Sequence, residues 1–130
     1  MWHLDTDIVI ALVKENRGAE IKLTACFPRV AVSAIALAEA RFGVLNSARV
    51  AENDQRLRGL LELLNIVSFD ERVSDTYAQL RVLLERRGKR APAMDLLIAA
   101  TAVAHNAVLV THNTQHFESI EGLQLEDWLT

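Results

Sequence analysis

The chain is predicted to be an α/β protein, a three-layer α/β/α sandwich around a short, mostly parallel central sheet. Two observations carry this expectation. Short strand-like apolar segments alternate with longer segments whose apolar residues recur at helical spacing. Half of the 130 residues are apolar while aromatics are few, so one aliphatic core of ordinary domain size can form without disulfides. Residues 1–130 are therefore expected to make a single domain.

Taken in order, Trp2 to Leu4 reads as a short buried strand. Thr6 to Lys14 follows as a helix, with Ile8, Val9, Leu12 and Val13 on one face. Arg29 to Val32 is a second strand, and Ser33 is placed to N-cap an Ala-rich helix reaching about Asn46. Val50 to Leu64 and Asp70 to Arg87 read as amphipathic helices on either side of the strand-like Ile66-Val67-Ser68-Phe69, with Gly88 as the stop. Pro92 suits the first turn of a buried helix ending at His105. Ala107 to Thr111 is a β-branched strand, and a polar loop leads to a last strand near Leu123 to Leu125. In such a sheet, ligands bind beyond the carboxyl ends of the strands, where Asp5 and the residues after Thr111 fall.

The remaining bulk properties narrow the function. The longest apolar stretches, near Val30–Ala38 and Leu96–Ala104, are far below the roughly 18 residues of a membrane span. Asp5 and Asp7 stand where an export signal would need a basic start and an apolar middle, and the lone Cys26 fits a reducing compartment, so a cytoplasmic location is expected. A net charge of −3 argues against global attraction to nucleic acid. Arg81, Arg86, Arg87, Lys89 and Arg90 nevertheless form a local basic cluster, which suits either RNA phosphates or the C-terminal dipole of a solvated helix.

Three carboxylates stand in apolar surroundings: Asp5 after Trp2-His3-Leu4, Glu39 within Ala34–Ala40, and Asp95 before Leu96–Ala100. Burying an ionised carboxylate costs several kcal/mol unless a charge or hydrogen bonds compensate it, so a shared divalent cation is the natural candidate. Each has a plainer reading. Asp5 can cap the helix that follows it, and Asp95 suits the first turn of its helix through the dipole. Glu39 has only Ile35 and Gly43 at i±4 and so lacks an intrahelical partner. Asp7 is either an outer ligand or another dipole-favoured acid. The four-residue spacing of His112 and His116 resembles a helical metal pair, but Asn113-Thr114-Gln115 reads as loop and no Glu follows His112, which argues against zinc. Trp128 and Phe117 are expected in the core or an interface.

Leu4-Asp5-Thr6-Asp7, Ser33 with Ala38-Glu39-Ala40-Arg41-Phe42-Gly43, Asp95-Leu96-Leu97-Ile98-Ala99-Ala100, and Leu109-Val110-Thr111-His112-Asn113 with Phe117 together resemble the PIN-domain ribonucleases. More narrowly, the chain is similar to VapC toxins of bacterial type II toxin–antitoxin modules, and Gly122-Leu123 and Glu126-Asp127-Trp128 extend the resemblance to its end. The resemblance implies a PIN fold and an Mg²⁺ or Mn²⁺ ion held by Asp5, Glu39 and Asp95. It also implies a homodimer, inhibition by a VapB-type antitoxin in a higher-order complex, and cleavage of tRNA or rRNA that stops translation. Relatives often carry an acid where this chain has Asn113 or His116, so a second tightly bound metal is not expected.

On this reading Thr111 and Asn113 orient the attacking water or a phosphate oxygen. Asp7, Ser33 and His116 are accessory candidates, and Arg86, Arg87, Lys89 and Arg90 hold flanking phosphates. Two other readings stay open. A phosphoacceptor signalling domain is also doubly wound, and Asp70 and Thr111 mimic its layout, but the lysine after its last strand is missing and Glu39 and Asp95 go unexplained. A catalytically silent PIN module that only binds would not need the complete trio.

Overall fold

The computed structural model describes residues 1–129. Five strands form one sheet in the order β3-β2-β1-β4-β5: β1 (Trp2–Leu4), β2 (Val30–Ser33), β3 (Asn65–Val67), β4 (Val108–Val110) and β5 (Gln124–Glu126). Every pairing is parallel, which sharpens the expected mostly parallel sheet. All four residues of β2 are buried, as a strand covered on both faces requires.

Six helices flank the sheet: α1 (Thr6–Val13), α2 (Arg17–Cys26), α3 (Ala34–Leu45), α4 (Val50–Leu61), α5 (Glu71–Arg86) and α6 (Ala93–Ala104). α1, α3 and α4 pack on one another, and α5 lies along α6, which covers β2 and β4. Gly43 on α3 has Ile10 of α1 against it: an added Cβ would stand 3.4 Å from the Ile10 Cδ1, in contact with the end of that side chain. Phe117 and Trp128 are core residues, 1% and 2% exposed. No helix among the described residues is long and apolar enough to cross a membrane.

Several boundaries differ from those expected. α2 fills a stretch for which the sequence predicts no element, because its apolar stripe is short, with only Ala19 and Leu23 buried. The third strand starts at Asn65 and is largely exposed, since it forms the sheet edge, and the last strand is shifted to Gln124–Glu126. α4 ends at Leu61 rather than Leu64. Pro92 is the N-cap of α6 rather than part of its first turn. Asn113-Thr114-Gln115 is not plain loop: Thr114–His116 makes one 3-10 turn.

The strand order places the switch of chain direction between β1 and β4. From β1 the chain builds outward through β2 and β3, then returns to β4 on the other side and continues to β5. Crevices open outside the carboxyl ends of strands at such a point. Asp5 follows β1 there, with its amide bonded to the carbonyl of Val110 at the end of β4 (2.9 Å).

Candidate active site

Asp5 is 6% exposed and N-caps α1. Its Oδ1 accepts from the Thr6 amide at 2.8 Å, and its Oδ2 accepts from the Thr111 hydroxyl at 2.9 Å. The Thr111 oxygen in turn accepts from the Asn113 amide at 3.1 Å, so the first turn after β4 is tied to the carboxylate after β1. The plainer reading of Asp5 and the functional one are compatible, because capping leaves further lone pairs on both oxygens.

Glu39 projects from α3 toward the same end. It has no intrahelical partner, as its neighbours suggested, but the Thr6 hydroxyl of α1 donates to its Oε1 at 2.9 Å. Glu39 is half-buried rather than deep in the core, so the apolar run around it overstated its desolvation. Thr6 links the two carboxylates, its amide on Asp5 and its hydroxyl on Glu39. It went unnoticed among the candidates, although Leu4-Asp5-Thr6-Asp7 contains it.

Asp7 lies in the first turn of α1. Its Oδ2 accepts from the His112 amide at 3.0 Å and meets the Asn113 side-chain nitrogen at 3.5 Å, while its Oδ1 is buried without a hydrogen-bond partner. Asp95 rises from the first turn of α6, half-buried, with His116 Nδ1 3.2 Å from its Oδ2. His116 is therefore beside Asp95, whereas His112 turns away to Asp127, its Nδ1 3.0 Å from that carboxylate. The two histidines do not form a pair.

Other candidates make no side-chain hydrogen bond to these carboxylates among the described residues. The Ser33 hydroxyl accepts from the Ala36 amide at 3.0 Å, making it the N-cap of α3. Asp70 likewise caps α5, accepting from the Val73 amide, and that role accounts for an acid after the third strand. Arg86 to Arg90 occupy the exposed end of α5 and the turn after it. Arg87 pairs with Glu121, whereas Arg86, Lys89 and Arg90 have no acidic partner among the described residues.

Electrostatically the group gathers carboxylates with only histidines as cationic neighbours among the described residues. Burial pushes the Asp5 carboxyl up to about 6; Asp7 and, more weakly, Asp95 push the same way, against the Thr6 and Thr111 hydrogen bonds. Asp7 is also raised, again by burial first, despite the amide bonds it accepts. No Lys or Arg pairs with Asp5, Asp7, Glu39 or Asp95 among the described residues. Nor are three metal-binding side chains already gathered into a coordination shell there.

The donor set still fits a divalent cation in kind. Carboxylate and hydroxyl oxygens suit Mg²⁺ or Mn²⁺, and a buried Asp7 oxygen without a donor marks a place short of positive charge.

Comparison with known proteins agrees with this architecture. The PIN domain family model matches residues 3–123. Ribonuclease VapC2 of Rickettsia felis is 35% identical over 98% of both chains. The tRNA(fMet)-specific endonuclease VapC of Shigella flexneri is 28% identical over 98% of this chain and 97% of that one. The crystal structure of VapBC2 from Rickettsia felis bound to a DNA fragment from their promoter superposes with a TM-score of 0.90 at 34% identity, covering 98% of each chain. Fold, strand-end carboxylates and end-to-end likeness lead to one conclusion: the chain belongs to the PIN-domain family, among the VapC ribonuclease toxins of toxin–antitoxin systems.

Proposed function

We propose that the chain is a metal-dependent endoribonuclease toxin that hydrolyses phosphodiester bonds of tRNA or rRNA and so inhibits translation. One observation carries the reading. Asp5 is held at the β1–β4 switch point by two hydrogen bonds, with the charges of Asp7 and Asp95 bearing on it and no Lys or Arg paired with it among the described residues. Capping alone needs only the Thr6 amide, whereas here a second donor and two further carboxylates converge on Asp5.

Asp5, Glu39 and Asp95 would hold one Mg²⁺ or Mn²⁺. When bound, the ion lowers the pKa of a water and neutralises charge on the phosphate. The chain's own residues do the rest. Thr6 and Thr111 fix the carboxylates so that little reorganisation is needed when charge develops. Asn113, exposed at the rim and anchored through its amide to Thr111, is placed to orient a phosphate oxygen. Arg86, Arg87, Lys89 and Arg90 attract flanking phosphates, with Arg87 first having to leave Glu121. Attack by water on phosphorus leaves a 5′-phosphate and a 3′-hydroxyl.

The Rickettsia felis relative was crystallised as VapBC2 on promoter DNA, which supports a VapB-type antitoxin as partner of this chain; a homodimer is proposed as its assembled form from the family likeness. Exposed Phe42 and Leu45 on α3 support a protein partner as well. The Shigella flexneri relative makes initiator tRNA the first substrate to try.

The test is RNA cleavage with purified protein, with the ends sequenced. Cleavage stopped by EDTA, restored by Mn²⁺ and absent from folded Asp5→Asn and Asp95→Asn proteins is expected. Cleavage that survives EDTA, or ends bearing 2′,3′-cyclic phosphate, would refute the chemistry.

A further inference from the structure

A groove of about 580 Å³ lies between α5 and α6, bounded by Tyr77, Arg81 and Leu84 on α5, Lys89 and Arg90 on the turn, and Leu96 on α6. Its size falls within the range of small-ligand sites. Its position follows from the local sequence. Gly88, with φ +68°, ends α5 in a Schellman turn: the Lys89 amide bonds back to the Leu84 carbonyl and the Gly88 amide to that of Glu85. This reversal brings Lys89 and Arg90 over the mouth of the groove instead of continuing the helix.

The lining is divided by chemistry. Leu84 and Leu96 are buried and make an apolar floor. The Tyr77 ring is half-buried at the wall, and its hydroxyl accepts from Arg81 Nη1 at 3.2 Å. Arg81 also pairs with Glu85 at 2.8 Å, so the one acid of the lining is neutralised from within. Lys89 and Arg90 remain exposed and unpaired among the described residues, in a chain of net charge −3. Such a site offers a flat apolar and aromatic surface with two free cations at its edge. A nucleobase with its phosphates matches it; an apolar helix does not, because it would bury both cations without partners.

Location completes the argument. Leu96 directly follows Asp95, so groove and carboxylates share the first turn of α6. We infer that this groove is a nucleotide subsite for single-stranded RNA. Tyr77 and Leu84 receive an unpaired base near the scissile phosphate, and Lys89 and Arg90 hold its phosphates. The inference rests on the ribonuclease reading and adds where the strand lies. Arg81 is a positioning residue, holding the tyrosine ring and cancelling Glu85.

The test uses full-length Asp5→Asn protein, to prevent cleavage, and a fluorescein-labelled ten-nucleotide RNA carrying one 4-thiouridine. Photoadducts are expected on Tyr77 or within residues 84–96. Lys89→Glu/Arg90→Glu should weaken binding by tenfold or more and lower the slope of log affinity against log salt by about 1–2. Arg58→Glu on α4 should do neither. Tyr77→Leu should weaken binding with the salt slope unchanged, which separates stacking from charge.

Adducts confined to other residues, or groove variants binding within twofold of the parent, would overturn the subsite. So would a double variant whose main effect is a shift between monomer and dimer in sedimentation, since the groove would then be an interface between copies. If wild-type protein cleaves RNA while the groove variants bind normally, only the subsite fails. If it cleaves no RNA under any metal, the nuclease reading fails instead, and the binding data judge the groove independently.

Discussion

His3 and Asp5 flank Leu4 at the end of β1, both buried, yet the fold treats their charges in opposite ways. The His3 ring lies against His105, with centroids 5.6 Å apart, and neither of its nitrogens has a hydrogen-bond partner. Burial first, then His105 and the N-terminus, pushes it down to about 4, so it is neutral and inert at neutral pH. Asp5, one step past the strand, receives donors from α1 and from the turn after β4 and stays ionised at neutral pH despite being pushed up to about 6. Strand interiors are covered by helices, and nothing but packing can act there. At the strand's carboxyl end backbone and side-chain donors converge, and a charge can be kept for use.

The largest expected difference between these positions is in activity. Asp5→Asn should lower metal-dependent RNA cleavage by at least on the order of a hundredfold, because it removes a ligand charge while keeping the shape. His3→Leu should leave cleavage within about twofold at pH 7.5. Initial rates on one RNA substrate check both. A His3→Leu protein that is folded but inactive would mean that the buried histidine communicates with the site.

Stability should separate them next, and with opposite sign. The His3 pKa is lower folded than unfolded, so its contribution is full above 6.5 and is lost as pH falls toward 4, by roughly 3 kcal/mol. The Asp5 pKa is higher folded than unfolded, so the metal-free protein gains from it as pH falls from 6 toward 3.8, by a similar amount. The two slopes nearly cancel in the wild-type protein. Urea unfolding in EDTA should therefore show Asp5→Asn losing stability steeply between pH 6.5 and 4, and His3→Leu gaining it. Profiles that stay parallel to the wild type would disprove the assignment.

The same contrast marks what the sequence made legible. β1 and the first turn of α1 were readable because Trp2-His3-Leu4 is apolar and Asp5 ends it, and the β-branched run to Thr111 announced β4. α2 was not, since two buried residues on a ten-residue helix give too weak a period, although Asn16 capping the Ala19 amide was an available signal. Contacts that join distant segments were also hidden. That Thr6 bridges Asp5 and Glu39, or that His116 reaches Asp95, depends on how α3, α6 and the 3-10 turn approach one another, and periodicity carries no such information. The α5–α6 groove is likewise a product of packing, with only Gly88 foretelling the turn at its mouth.

Thr111→Val sharpens the comparison further by making Asp5 more like His3. The substitution keeps the branched shape but removes the donor to Asp5 Oδ2 and the acceptor of the Asn113 amide. A loss of about 1–3 kcal/mol at pH 7.5 is expected, shrinking at pH 4 where Asp5 is protonated and needs the donor less. A loss that is the same at both pH values would place its origin in the turn and not in the carboxylate.

Ser33 provides the smallest effect and the sharpest control, because it stands at the end of β2 as Asp5 stands at the end of β1. Both cap the helix that follows, but Ser33 directs its hydroxyl to the Ala36 amide and carries no charge. If capping is its whole role, Ser33→Ala should cost about 1 kcal/mol of stability, and Ser33→Thr should restore most of it. RNA cleavage per folded molecule should then stay within about twofold in both variants. A drop of tenfold or more in kcat for well-folded Ser33→Ala would instead bring this strand end into the site, and the difference between the two caps would no longer be one of charge alone.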